Sequence, residues 1–220
     1  MAKLAMKAMM GSKLTDLNFI ARPTFSHLSI KEAVFPFTKL GVSDVLLGPE
    51  MRSTGEVMGI DHNFGWAFAK SQASAGMPIP VQGVALLSVK DADKFAALGL
   101  AKSLKNLGFV LQATKGTAAY LTEKGVEVAT VNKVKEGRPH IVDFIKNKEI
   151  ALVVNTVSGS ASQEDSAPIR KAAVFGGVPY FTTIQAARAA VLGIEAMKRS
   201  PLQVQSLQEF HRLVRAQTKP

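Results

Sequence analysis

From residue 84 onward, short apolar runs alternate with longer stretches whose apolar residues recur at helical spacing. The runs at 84–89, 109–113, 126–131, 150–154 and 178–181 read as buried strands, the last with Pro179 marking a sheet edge. Between them, Asp91 is placed to cap a helix carrying Phe95, Leu98, Leu100, Ala101, Leu104 and Leu107 on one face, closed by Gly108. A short helix over 116–124 is closed by Gly125, and Pro139 suits the first position of a helix through Asn147. A loop at 158–162 leads to a helix with Ile169, Ala172, Ala173 and Val174, and a final helix covers 184–197. Strand, helix, strand at this spacing predicts right-handed parallel crossovers, and hence an α/β fold with a doubly wound five-stranded parallel sheet.

Polar residues fall where such a sheet presents them to a ligand. Thr114-Lys-Gly-Thr117, Asn132-Lys133, Asn155-Thr156 and Thr182-Thr183 each follow an apolar run and precede a helix-like stretch. In parallel strands they collect at the carboxyl edge of one sheet, where helix N-termini offer free N–H groups to an anion. Threonine and asparagine at such junctions also serve as ordinary N-caps, so the repetition carries more weight than any single residue. Gly116 allows close backbone approach, and Lys94 and Lys133 add positive charge, which favours a phosphate or carboxylate ligand.

The stretch 73–80, rich in small residues, Gly and Pro, divides the chain into about one third and two thirds. A smaller, mainly helical segment is expected before it, with Met9-Met-Gly-Ser marking a helix end rather than a processing site. At 220 residues and 47% hydrophobic the chain buries a core. Its net charge of +10 favours anionic partners, but Lys and Arg are scattered, so no nucleic-acid tract is expected. The lack of cysteine excludes disulfides, thiolate catalysis and Cys-ligated zinc. No apolar run is long enough to span a membrane, so a soluble, cytoplasmic protein is expected.

Catalytic motifs are missing. There is no Walker-type loop, no Gly-x-Gly-x-x-Gly and no metal-spaced His or carboxylate cluster, so no catalytic or metal-binding residue is assigned. Asp165 reads as a helix N-cap and His140 as structural. Glu50, Arg52 and Glu56 flank small residues, either orienting a loop by charge-assisted bonds or forming a polar surface turn.

The run 31–60, with Ala33-Val-Phe-Pro-Phe-Thr-Lys39 and Leu47-Gly-Pro-Glu-Met-Arg-Ser-Thr-Gly-Glu-Val-Met-Gly59, resembles the carbamoyl-phosphate synthetase large subunit. So do Lys133-Val-Lys-Glu-Gly-Arg-Pro-His140, Asn155-Thr156, Asp165 and Ile169-Arg170 in that order. The resemblance implies a C-terminal fragment. Residues 1–75 would close the carbamoyl-phosphate-forming ATP-grasp unit, 76–82 would be a linker, and 83–220 a methylglyoxal-synthase-like allosteric domain. It further implies that Lys94, Thr114, Thr117, Lys133, Asn155 and Thr156 hold a UMP- or IMP-type effector, and that Thr182 approaches an ornithine-type activator. Glu50, Arg52 and Glu56 would form an interdomain loop.

By the same implication the partners are the rest of the large subunit and the glutamine amidotransferase small subunit. The ATP- and metal-binding core would lie outside this chain, leaving ATP and Mg or Mn to the full ligase, which serves pyrimidine and arginine biosynthesis. Phe35, Phe37 and Val45-Leu-Leu47 would then face a missing neighbour. One departure stands out: the family's Asn-Thr-Thr reads Asn155-Thr156-Val157 here. The alternatives are an autonomous lyase of the methylglyoxal synthase type and an assembly module without a small-molecule ligand.

Overall fold

A computed structural model describes residues 2–17, 19, 25–35, 55–158 and 160–217. The chain divides into two compact units, Met1–His27 with Val204–Pro220, and Leu28–Gln203.

In the smaller unit, helix α1 (Ala2–Met9) ends where Gly11 takes a φ of 94°. The Gly11 N–H donates to the Ala8 carbonyl and the Ser12 N–H to Lys7, as the Met-Met-Gly-Ser signal predicts. The His27 ring makes tilted contacts with Phe25 and Phe210, with ring centroids 5.4 and 5.1 Å away.

The larger unit opens with an antiparallel pair, β1 (Leu28–Val34) and β2 (Gly55–Asp61), followed by helix α2 (Phe64–Ser74). Asn63 caps α2, its Oδ1 accepting from the Trp66 N–H at 3.1 Å. Then come β3 (Val84–Ser88), a 3₁₀ turn at Asp91–Asp93, α3 (Lys94–Asn106), β4 (Val110–Thr114), α4 (Lys115–Glu123) and β5 (Ala129–Val131). A second 3₁₀ turn (Val134–Glu136) leads to α5 (Ile141–Lys146), β6 (Leu152–Asn155), α6 (Ser160–Phe175), β7 (Tyr180–Phe181) and α7 (Ile184–Arg199). Helix α8 (Leu207–Gln217) belongs to the smaller unit and had no counterpart in the sequence reading. Ser206 and Glu209 exchange backbone N–H bonds at its start, a reciprocal cap.

The expected five-stranded parallel sheet is present, in the order β5-β4-β3-β6-β7, with β7 at an edge as Pro179 suggested. Alternate residues feed two cores: Ala85, Leu87, Leu111 and Val154 pack with α3 and α7, whereas Leu86 and Val153 pack with Ile141, Ile145 and Ile169. The stretch 76–82 lies within the larger unit, where α2 packs on β2 and α7.

Several local expectations are corrected. Phe95 is 83% exposed, so only Ala97, Leu100, Ala101 and Leu104 form the buried stripe of α3. Asp91 sits in the 3₁₀ turn and bonds Lys94 rather than capping α3. The cap of α5 is His140, one residue past Pro139: its Nδ1 accepts from the Asp143 N–H while the Asp143 carboxylate accepts from the His140 N–H at 3.0 Å. That reciprocal cap needs the helix to start at Ile141.

Candidate functional site

The sheet fixes where a ligand has room. From β3 the chain moves outward through β4 to β5, then returns to the other side of β3 for β6 and β7. The connections leaving β3 and β6 therefore diverge, and a crevice opens at their carboxyl ends. A cavity of about 330 Å³ lies there, lined from β3 by Ser88 to Asp91, from β6 by Asn155 to Ser158, and from β4, β5 and α6 by Thr114, Lys133, Asp165 and Ser166.

Four of the expected effector residues, Thr114, Lys133, Asn155 and Thr156, meet in this cavity. Asn155 is 2% exposed, and its Nδ2 donates to the Tyr180 hydroxyl at 2.7 Å, which leaves Oδ1 as the group free to accept. The Thr156 hydroxyl accepts from the Lys90 N–H at 3.1 Å, and the Thr156 N–H donates to the Ser88 carbonyl at 3.0 Å. Thr117 is buried behind the wall: its hydroxyl accepts from the Val89 N–H at 3.2 Å and lies 3.4 Å from that of Thr114. Thr117 and Thr156 thus both hold the loop after β3, fixing the backbone that forms the cavity rim.

Lys94 stands beside the cavity, its Nζ 2.8 Å from Asp91 and close to Gly116 at the start of α4. Thr182 is exposed after the edge strand β7 and does not line the cavity, while its neighbour Thr183 caps α7 by accepting from the Ala186 N–H at 3.2 Å. Glu56 lies on β2, exposed and ion-paired with Lys31, whereas Glu50, Arg52, Phe37 and 45–47 fall outside the described residues.

The electrostatics favour an anion. Hydrogen bonding to Lys94 holds the Asp91 carboxyl below its ordinary range, and Lys135 does the same for Asp165; the charge of Lys133 adds to both. Asp165 is inside α6, not at its cap, and its oxygen reaches across to Lys135 of the second 3₁₀ turn. The two carboxylates at the cavity are each matched by a lysine, which leaves Lys90 and Lys133 on the lining. Lys90 leans toward Asp93 at 3.8 Å, a long contact in which little charge is neutralised. Among the described residues no cluster of His, Asp and Glu has the geometry to hold a metal ion.

Sequence reading missed Ser88, Lys90 and Tyr180. The rule that placed the other junctions applies equally to the end of the first strand and would have reached Ser88 and Lys90. Tyr180 carries no such signal, because its link to Asn155 exists only through β6–β7 pairing.

Comparison with known proteins agrees with this architecture. A family profile described as an MGS-like domain matches residues 96–182. The carbamoyl phosphate synthase large chain of Myxococcus xanthus is 49% identical over 96% of this chain and 19% of its own length. That of Methanoculleus marisnigri is 44% identical over 97% of this chain and 20% of its own. Methylglyoxal synthase from Elizabethkingia anophelis superposes with a TM-score of 0.42 at 17% identity, covering 61% of this chain and 93% of that one. The chain spans about a fifth of the length of the large chains it matches. With a five-stranded parallel sheet, an MGS-like domain and similarity over nearly its whole length, the chain is homologous to a segment of the carbamoyl phosphate synthase large chain.

Proposed function

We propose that this chain is the allosteric region of a carbamoyl-phosphate-forming ligase, binding a nucleoside monophosphate of the UMP or IMP type in the cavity between β3 and β6. The observation that carries the reading is the convergence of Lys133, Thr114, Asn155 and Thr156 on the crevice where the strand connections diverge. Lys133 would meet the phosphate at the rim fixed by Thr117 and Thr156, the Thr156 hydroxyl, which accepts from the Lys90 N–H, would keep its own O–H to donate, and the Asn155 Oδ1 would accept from a ribose hydroxyl or base N–H. Val157, which stands where the family pattern has a threonine, gives the lining an apolar patch in place of a hydroxyl.

The signal would pass to the rest of the large subunit and its amidotransferase partner. ATP and its metal would bind there, outside this chain. Such coupling is reciprocal, so effector affinity must differ between the active and inactive ligase. An ornithine-type activator at Thr182 would occupy a second place, since Thr182 lies outside the cavity. A lyase reading is weaker, because both carboxylates at the cavity are held below their ordinary range by lysines, whereas a general base works best near neutral pH.

Thermal-shift titration with UMP, IMP, uridine and ornithine tests the reading, on the wild-type chain and on Lys133→Ala. A ligand at about 100 times its Kd stabilises by about 2.7 kcal/mol. The expected outcome is a shift with a monophosphate that uridine does not give and that Lys133→Ala removes. No shift with any of the four would defeat the effector reading and favour an assembly module.

A further inference from the structure

Asn155 is the most deeply buried polar residue on the cavity lining, and its amide carries an acceptor on one side and a donor on the other. Which side meets a ligand depends on what holds the amide from behind. Val153 of β6 pairs with Tyr180 of β7, so Tyr180 stands on the same face of the sheet as Asn155, two residues back along the neighbouring strand. The Tyr180 ring packs against the core that contains Val153 and Ile169, which gives its hydroxyl a fixed place, 2.7 Å from the Asn155 Nδ2. Tyr180 itself does not line the cavity. Donation to Tyr180 turns Nδ2 away from a ligand and presents Oδ1. Charge acts in the same direction: Lys90 and Lys133 on the lining attract the carbonyl end of the amide dipole and oppose its NH₂ end.

We propose that Tyr180 determines the specificity of the cavity by fixing the Asn155 amide, so that the site takes an anionic ligand presenting an N–H or O–H donor at Asn155 and rejects one that offers only an acceptor there. The inference deepens the effector reading and rests on it. Tyr180 touches no ligand; it is a positioning residue that acts through Asn155. A free amide would turn over to suit either kind of ligand, and the site would be indifferent. A held amide sets its lone pairs against those of an acceptor-only ligand, in a place too buried for water to relieve the clash. The donor has two possible sources in a nucleoside monophosphate. One is a ring N–H, as on uracil or hypoxanthine, and the other is a ribose hydroxyl.

Calorimetric titration of wild type and Tyr180→Phe with UMP, CMP, IMP, AMP and UMP methylated on its ribose hydroxyls tests it. CMP and AMP carry a ring-nitrogen acceptor where UMP and IMP carry N–H, and methylation turns a hydroxyl donor into an acceptor. In the wild-type chain the donor-bearing ligand should bind at least about tenfold tighter than its acceptor-only counterpart. Tyr180→Phe keeps the packed ring but frees the amide to turn. The preference should then shrink, with the acceptor-only ligand binding tighter as the donor-bearing one binds more weakly. Collapse of the UMP/CMP or IMP/AMP preference assigns the donor to the base, and collapse of the preference against methylated UMP assigns it to the ribose. Equal weakening of every ligand, the sign of a loosened site, overturns the proposal, as does a preference that the substitution leaves unchanged. In the ligand-free chain, NMR of the Asn155 side-chain NH₂ should show one proton protected by its hydrogen bond, and Tyr180→Phe should remove that protection; a signal indifferent to the substitution overturns the fixed orientation. A chain that binds no monophosphate overturns the effector reading itself, whereas binding without a Tyr180-dependent preference overturns only this inference.

Discussion

Two regions of the larger unit hold the chain together by opposite means. At the carboxyl edge of the sheet, side chains do the work: Thr117 and Thr156 tie the loop after β3, Tyr180 holds Asn155, and lysines match Asp91 and Asp165. At the junction of β2, α2 and α7, side chains are missing where the elements touch. A Cβ on Gly59 would stand 1.9 Å from the Ala67 carbonyl oxygen, and one on Gly65 would stand 2.2 Å from the Leu192 carbonyl oxygen. Hydrogen-bonded loops can exchange partners with a ligand, whereas backbone packed on backbone has no slack. The first region is suited to recognition and the second to rigid transmission.

The sharpest way to break this contrast is to add one methyl group. Gly59→Ala or Gly65→Ala should cost about 3 kcal/mol, the upper end of overpacking costs, read as a lower urea midpoint at unchanged slope. Tolerance of either would mean that the junction is not closed by backbone contact. Thr117→Val keeps the volume but leaves the Val89 N–H buried without its acceptor, for about 2 kcal/mol. Monophosphate affinity should fall with it, since the rim would lose its anchor; stability loss without affinity loss would separate Thr117 from the site. Gly99→Ala, where a Cβ meets nothing, should instead stabilise the chain by about 0.5–1 kcal/mol, and urea titration checks the sign.

The smallest effect concerns pH. Glu32 on β1 accepts from Gln72 and, at 3.3 Å, from Ser71; burial raises its carboxyl above the ordinary value of 4.5 despite those bonds. The folded state thus binds this proton more tightly than the unfolded state. The carboxylate costs stability at neutral pH, and the cost fades as pH falls through the raised folded pKa toward the unfolded value. Glu32→Gln should therefore melt above wild type at pH 7, with the difference shrinking as pH is lowered toward 5. A difference that grows on acidification would reverse the assigned sign.

Much of this was legible in the chain. Periodicity located the five strands and their helices because a strand buried on both faces must be apolar throughout, and Gly, Pro and the N-cap residues mark its limits. The junction rule found Thr114, Lys133, Asn155 and Thr156 because every parallel strand delivers its carboxyl end to the same edge. Boundaries slipped where two local signals competed, as at Pro139 and His140, where a reciprocal side-chain cap overrode the preference of proline for a first turn. Phe95 was misassigned because helical spacing identifies a face without saying what lies against it.

The order of strands was beyond the sequence, and with it the crevice between β3 and β6 that turns scattered polar residues into one cavity. So was the spending of the Thr117 and Thr156 hydroxyls on backbone, which depends on contacts between residues 28 and 66 positions apart. Local propensity determines which elements form, because it acts within a few residues. Which elements become neighbours is decided by burying their apolar faces together, and only the folded chain contains that result.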